Sequence, residues 1–301
     1  MRMYNLHREK IFMSYNQNKQ YLEDNPEIQE KIELYGLNLL NEVISDNEEE
    51  IRADYNEANF LHPFWMNYPP LDRGKMPKGD QIPWIKVGEK AVGSKLTRLV
   101  SQREDITVRE IGLPTGPDER YLLTSPTIYS LTNGFTDSIM MFVDIKSVGP
   151  RDSDYDLVLS PNQVSGNGDW AQLEGGIQNN QQTIQGPRSS QIFLPTIPPL
   201  YILSDGTIAP VVHLFIKPIY AMRSLTKGDT GQSLYKIKLA SVPNGLGLFC
   251  NPGYAFDSAY KFLFRPGKDD RTKSLLQKRV RVDLRVLDKI GPRVMTIDMD
   301  K

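Results

Sequence analysis

Hydrophobic residues recur at helical spacing through roughly the first hundred positions. Beyond them they recur at strand spacing or in short unbroken runs. Asn25-Pro26-Glu27 reads as a helix start, with a cap residue, a proline in the first turn and an acid at the positive end of the helix dipole. Ile28, Ile32, Leu39, Leu40 and Val43 then recur along one face. Residues 61–83 are rich in proline and aromatics and read as an ordered loop, and 87–100 as a helix with Val92, Leu96 and Val100 four apart. Strand character follows at 106–108, 121–123, 138–148, 157–159, 201–203, 210–219, 234–239, 260–264 and 280–286. Residues 161–191 are polar, with many Gly, Asn and Gln, and 241–252 hold Gly and Pro and break the pattern. No internal repeat or dividing linker is visible. The pattern predicts one α/β domain over 1–301, mainly helical over 1–104 and sheet-rich over 105–301.

The run at 139–143 is continuously apolar, which predicts a strand buried on both faces. Ligand sites in open α/β sheets lie beyond strand ends. At this strand's end stands Asp144-Ile145-Lys146, the only acidic-x-Lys triplet of the chain. Pro117-Asp118, the only Pro-Asp pair, lies upstream with 25 residues between the two aspartates. Two carboxylates and a lysine gathered there suit a Mg²⁺-dependent phosphodiesterase. The carboxylates supply hard oxygen ligands, and the lysine supplies fixed positive charge where negative charge builds on the phosphate. This is the PD-(D/E)xK pattern of nucleases, with Asp in the variable position. Chance alone gives about two acidic-x-Lys triplets in a chain of average composition, so the weight falls on placement. The competing reading makes Asp144 and Lys146 ordinary polar residues where a strand reaches water.

Composition narrows the class. With 39% hydrophobic and 24% charged residues, the 301-residue chain can build a sizeable core, and global disorder is excluded. The single Cys250 excludes an internal disulfide and suits a reducing compartment. No signal-like segment and no apolar run near 18 residues is present, so the expectation is a cytoplasmic protein without a membrane partner. His7, His62 and His213 are scattered and share no metal-site spacing. No Gly-rich loop leads into Lys-Ser/Thr, so a nucleotide cofactor lacks support.

Net charge is −1, but it is unevenly spread. Residues 1–60 carry 6 Lys/Arg against 13 Asp/Glu, and residues 261–293 carry 11 against 4. The C-terminal part therefore has a positive field suited to nucleic acid, unless the sorting is accidental. Within it Arg279, Arg281, Asp283 and Arg285 fall on one face of the predicted 280–286 strand, and Val280, Val282, Leu284 and Val286 on the other. Arginine reads guanine through O6 and N7, and a β-ribbon fits the major groove. The preceding loop adds Lys268 as a donor and Asp270 as an acceptor for the cytosine amino group, and Asp152 is a second acceptor. Arg279 and Arg281 stand about 7 Å apart along such a strand. A solvated edge strand would carry the same charges.

Gly116-Pro117-Asp118-Glu119-Arg120, the strand Met140-Met141-Phe142-Val143-Asp144-Ile145-Lys146 and the tail Phe264-Arg265-Pro266-Gly267-Lys268-Asp269-Asp270-Arg271 together resemble the BglI family of type II restriction endonucleases, over essentially the whole chain. The resemblance implies a restriction-endonuclease-like mixed β-sheet flanked by helices. It implies a homodimer that cuts double-stranded DNA at the interrupted palindrome GCC-NNNNN-GGC, approaching from the major-groove side. It implies Mg²⁺ as cofactor, with Ca²⁺ supporting binding without cleavage. Asp118, Asp144 and Lys146 match the family motif, and the backbone of Ile145 would add a metal ligand. Glu89 matches a glutamate on an earlier helix that often joins such sites. The alternatives are a non-catalytic sequence-specific DNA-binding protein, which needs the arginine strand alone, and an assembly protein with an accidental motif.

Overall fold

The computed structural model describes residues 2–67, 89–112, 116–146, 153–173, 176–179, 181–185, 192–220, 234–250, 264–266 and 272–299. The chain opens with helices α1 (Arg2–Asp24), α2 (Pro26–Asp46) and α3 (Glu48–Asn67). Pro26 and Glu27 start α2 as expected, although the Asn25 side chain donates back to the Tyr21 carbonyl instead of capping the new helix. The predicted stripe of α2, Ile28 to Val43, is buried. Three glutamates occupy the first turn of α3, where the helix dipole favours them. This helix corrects one expectation: residues 61–67 are helical, and the chain stays helical past Pro63 before leaving the described residues at 68. A short π-helical turn, Glu89–Gly93, leads into α4 (Ser94–Ser101), which accounts for the described part of the helix predicted at 87–100.

The strands are β1 (Thr107–Glu110), β2 (Glu119–Thr124) and, after α5 (Pro126–Leu131), β3 (Ser138–Ile145) and β4 (Asp156–Leu159). A 3₁₀ turn, Pro161–Gln163, follows β4. The polar segment beyond it carries β5 (Trp170–Leu173), β6 (Gly176–Asn179), β7 (Ile184–Gln185) and β8 (Ile192–Phe193). Then come β9 (Leu200–Ile202), β10 (Ile208–Tyr220), β11 (Leu234–Val242), α6 (Gly245–Cys250) and β12 (Phe264–Pro266). The chain closes through β13 (Val280–Asp283), α7 (Leu284–Leu287) and β14 (Val294–Asp298). The predicted strand at 280–286 is thus cut short. The Asp283 carboxylate accepts the backbone N–H of Arg285 at 3.0 Å and starts a helix turn there.

The main sheet runs β1-β2-β3-β10-β11-β14, with β9 added on β10. Only the central β3–β10 pair is parallel, so the sheet is mixed, flanked by helices. Every residue of β3 is buried, as the unbroken apolar run required. Met141, Val143 and Ile145 face a core shared with α2, α3 and α4. Met140 and Phe142 point to the opposite face, where a second core joins Phe215 and Ala240 to Leu157, Leu159, Val280 and Val282. The last four belong to a small sheet, β12-β13-β4, that lies over this second face. Among the described residues no helix is long and apolar enough to cross a membrane.

Candidate active site

Alternation along β3 sends Asp144 to the same face as Met140 and Phe142, away from the helices. Its carboxylate is 1% exposed. Asp118 stands just before β2, which pairs antiparallel with β3. Its Oδ2 accepts the backbone N–H of Ile145 at 2.9 Å, so the first acid is fastened to the residue after the second. Lys146 Nζ lies 2.6 Å from Asp144 Oδ2 and donates to Gln163 Oε1 at 3.0 Å. Gln163 Nε2 donates in turn to Asp144 Oδ1.

Burial pushes the Asp144 carboxyl up to about 6, the Lys146 ammonium opposes that rise, and the nearby Asp118 carboxylate adds to it. Glu119, beside Asp118, is also raised, first by burial. Its register partner is Val143, so it lies on the helix side of the sheet, where it accepts from the Tyr121 hydroxyl at 3.1 Å. Glu89 is the first residue of the π-helical turn. A Cβ placed on Gly93 in that turn would lie 2.7 Å from Ile145 Cδ1 and 3.4 Å from Glu119 Oε1, so the turn abuts the end of β3. Among the described residues no group of three His, Cys, Asp or Glu side chains suited to a metal is found.

The proposed base readers separate into two sets. Val280 and Val282 of β13 are buried, Arg281 is half-buried and Arg279, just ahead of the strand, is exposed. Arg281 stands in register with Arg265 of β12 and Val158 of β4. Asp283 is the last residue of β13, and Arg285 lies beyond it in α7. Arg285 doubles back to grip Asp283 through two hydrogen bonds of 3.0 and 2.8 Å, and its guanidinium lies over the Tyr155 ring. Lys268, Asp270 and Asp152 lie outside the described residues, as do residues 260–263 of the strand expected before β12.

Three contributors escaped the sequence pattern. Gln163 lies in the polar segment, where no spacing singles it out. Lys217 and Lys238 are register partners on β10 and β11, buried to 2% and 7% exposure. They donate to the carbonyls of Asp156 and Asp154, at 2.8 and 3.3 Å, and so hold the turn leading into β4. A signal was present: each lysine directly follows a buried apolar residue within its strand, Phe215-Ile216-Lys217 and Ile237-Lys238-Leu239.

A crystal structure of the tetrameric restriction endonuclease SfiI bound to cognate DNA is similar over 86% of this chain and 85% of its own, at 15% identity and a TM-score of 0.46. The family model for restriction endonuclease BglI matches residues 10–296, a span that holds Asp118, Asp144, Lys146 and Arg281, and the chain therefore belongs to the BglI family of type II restriction endonucleases.

Proposed function

We propose that this enzyme uses Mg²⁺ to hydrolyse one phosphodiester in each strand of duplex DNA, that it acts as a homodimer, and that its target is the interrupted palindrome GCC-NNNNN-GGC. Family membership already favours a site-specific deoxyribonuclease over a non-catalytic DNA-binding protein. The observation that carries the chemistry is the meeting of Asp118, Asp144 and Lys146 at the end of β3.

Asp118 and Asp144 would hold the ion, with the Ile145 carbonyl and Glu89, the first residue of the π-helical turn, as further donors. The donor set fits a hard cation. Asp118 and Asp144 bring two carboxylates to one strand end against the single Lys146 ammonium, 2.6 Å from Asp144 Oδ2, which leaves room for a further positive charge. Such an ion, when bound, would supply charge neutralisation at the phosphate and a more acidic water. Lys146 places a fixed positive charge where negative charge builds up as the phosphodiester opens, and its N–H groups can orient the attacking water. Arg279 and Arg281 would read guanine from the major groove, with Lys268, Asp270 and Asp152 completing a half-site. A two-fold protein matches a palindrome, so each subunit would read one half-site and supply one active centre.

The test is digestion of a plasmid bearing one GCC-NNNNN-GGC site. The expected result is a linear product with Mg²⁺, none with EDTA, and none from Asp144→Ala, which still binds the site in Ca²⁺. Parent-rate, Mg²⁺-dependent cutting by Asp144→Ala would remove that residue from the site. Sedimentation should give about twice the 34.3 kDa chain mass, and a monomer cutting both strands at the normal rate would defeat the dimer.

A further inference from the structure

Gln163 ends the 3₁₀ turn that follows β4. Its Oε1 receives two donors, Lys146 Nζ at 3.0 Å and the Ser160 backbone N–H at 2.9 Å. Two donors on one atom fix which end of the amide is oxygen. The other end must then be the NH₂, and it faces Asp144 Oδ1. The side chain therefore accepts from the ammonium and donates to the carboxylate at once. A carboxylate can only accept and an ammonium can only donate, so the amide is a side chain suited to bridge both.

The bridge changes what the two charged groups can do. Left alone, a buried Asp144 and a flexible Lys146 would settle into whichever ion pair is closest. With Gln163 on Oδ1, the carboxylate plane is held and Oδ2 is turned toward the ammonium. With Oε1 on Nζ, the ammonium is held beside the carboxylate at a set height above the sheet. Gln163 is itself held by the turn: Ser160 fixes its amide, and β4 fixes the turn. β4 pairs with β13, Val158 standing opposite Arg281, and Lys217 and Lys238 fasten its leading end to the main sheet.

We propose that Gln163 is a positioning residue of the active site, orienting Asp144 and Lys146 for the reaction without touching DNA. The proposal rests on the roles assigned above to those two residues. Gln163→Met keeps the length of the side chain and loses both hydrogen bonds. The full-length variant should lower single-turnover cleavage of cognate DNA by about 10²-fold, the usual effect of losing preorganised polar support. It should also raise the Mg²⁺ concentration needed for half-maximal rate. Cognate affinity in Ca²⁺ should stay within about threefold of the parent, which a folding defect would not allow. In a Lys146→Ala background the same substitution should cost clearly less than the full 10²-fold, because one of its two targets is already gone and only the Asp144 contact remains.

A Gln163→Met enzyme with parent rate and parent Mg²⁺ requirement overturns the proposal, as does a full additional 10²-fold loss in the Lys146→Ala background. Asp144→Ala, measured alongside, separates the two levels. If it cleaves normally, the active-site reading itself has failed. If it is inactive while Gln163→Met is unimpaired, only the positioning role has failed.

Discussion

At Asp144 two demands conflict. The metal-binding role proposed for it needs a charged carboxylate, yet burial penalises the charged form. The structure places this carboxylate at 1% exposure, with its carboxyl raised from 3.8 to about 6. Burial outweighs the Lys146 ammonium, so the metal-free folded protein holds the proton more tightly than the unfolded chain. The sign follows: this contribution favours folding fully below pH 3.8 and is lost as pH rises through about 6. Asp144→Asn keeps this position neutral at every pH and so avoids the buried charge that the parent carries above about pH 6. In EDTA at pH 7.5 the Asn variant should be the more stable protein, by up to about 3 kcal/mol, and the difference should shrink toward pH 4. Urea unfolding at the two pH values measures this, and an Asn variant weaker than the parent at pH 7.5 would mean that the ion pair dominates. Asp118, Asp144 and Lys146 were legible in the sequence because the motif sits at the end of a run whose burial is itself readable. Gln163 was not, because its contact with Asp144 spans 19 positions and depends on where a polar turn folds back.

Elements explain why part of the recognition reading moved. Period-two alternation from 279 to 286 suggested four polar residues on one strand face, but alternation describes a strand only while the backbone stays extended. Asp283 has a second option, capping the turn that begins at Leu284, and it takes that option because Leu284 and Leu287 find burial there. The row is thereby reduced to Arg279 and Arg281. On the main sheet the long apolar runs of β3, β10 and β11 left little freedom, and all three lie where the pattern put them. Burial of Arg281's neighbours Val280 and Val282 against β4 makes β13 a rigid platform, which bidentate base contact requires. Arg281→Ala should lower cognate preference over one-base-altered sites by about 1–3 kcal/mol. A phosphate contact would instead weaken every site alike and reduce the salt slope by about one. Affinities for cognate and altered sites in Ca²⁺ at two salt concentrations decide which, and a uniform loss would make Arg281 a backbone anchor.

Over the whole molecule, the acidic N-terminal stretch and the basic C-terminal stretch are less separate than counting suggests. Glu33 of α2 meets Arg293, 260 positions away, at 2.8 Å, and both side chains are 2% exposed. Glu33 Oε1 also accepts from the Asn244 backbone N–H at 2.6 Å and from Gln29 Nε2 at 3.0 Å. One carboxylate therefore joins α2, the end of β11 and the approach to β14. Glu33 thereby neutralises and buries one cation of the basic stretch, so the field available to DNA is smaller than the raw charge count. The same contact bears on the single domain expected from the sequence. If the helical part and the sheet-rich part unfold together, removing Arg293 should lower the stability of both. Arg293→Ala leaves a buried carboxylate without its cation and should cost about 3–5 kcal/mol. Far-ultraviolet circular dichroism, weighted to the helices, and fluorescence of a variant with Trp65 and Trp84 replaced by Phe, leaving Trp170 of β5, should report one coincident urea transition, shifted to lower urea. Two transitions, with only one displaced by Arg293→Ala, would mean that the N-terminal helices and the sheet unfold as separate units and that Glu33–Arg293 is not the joint between them.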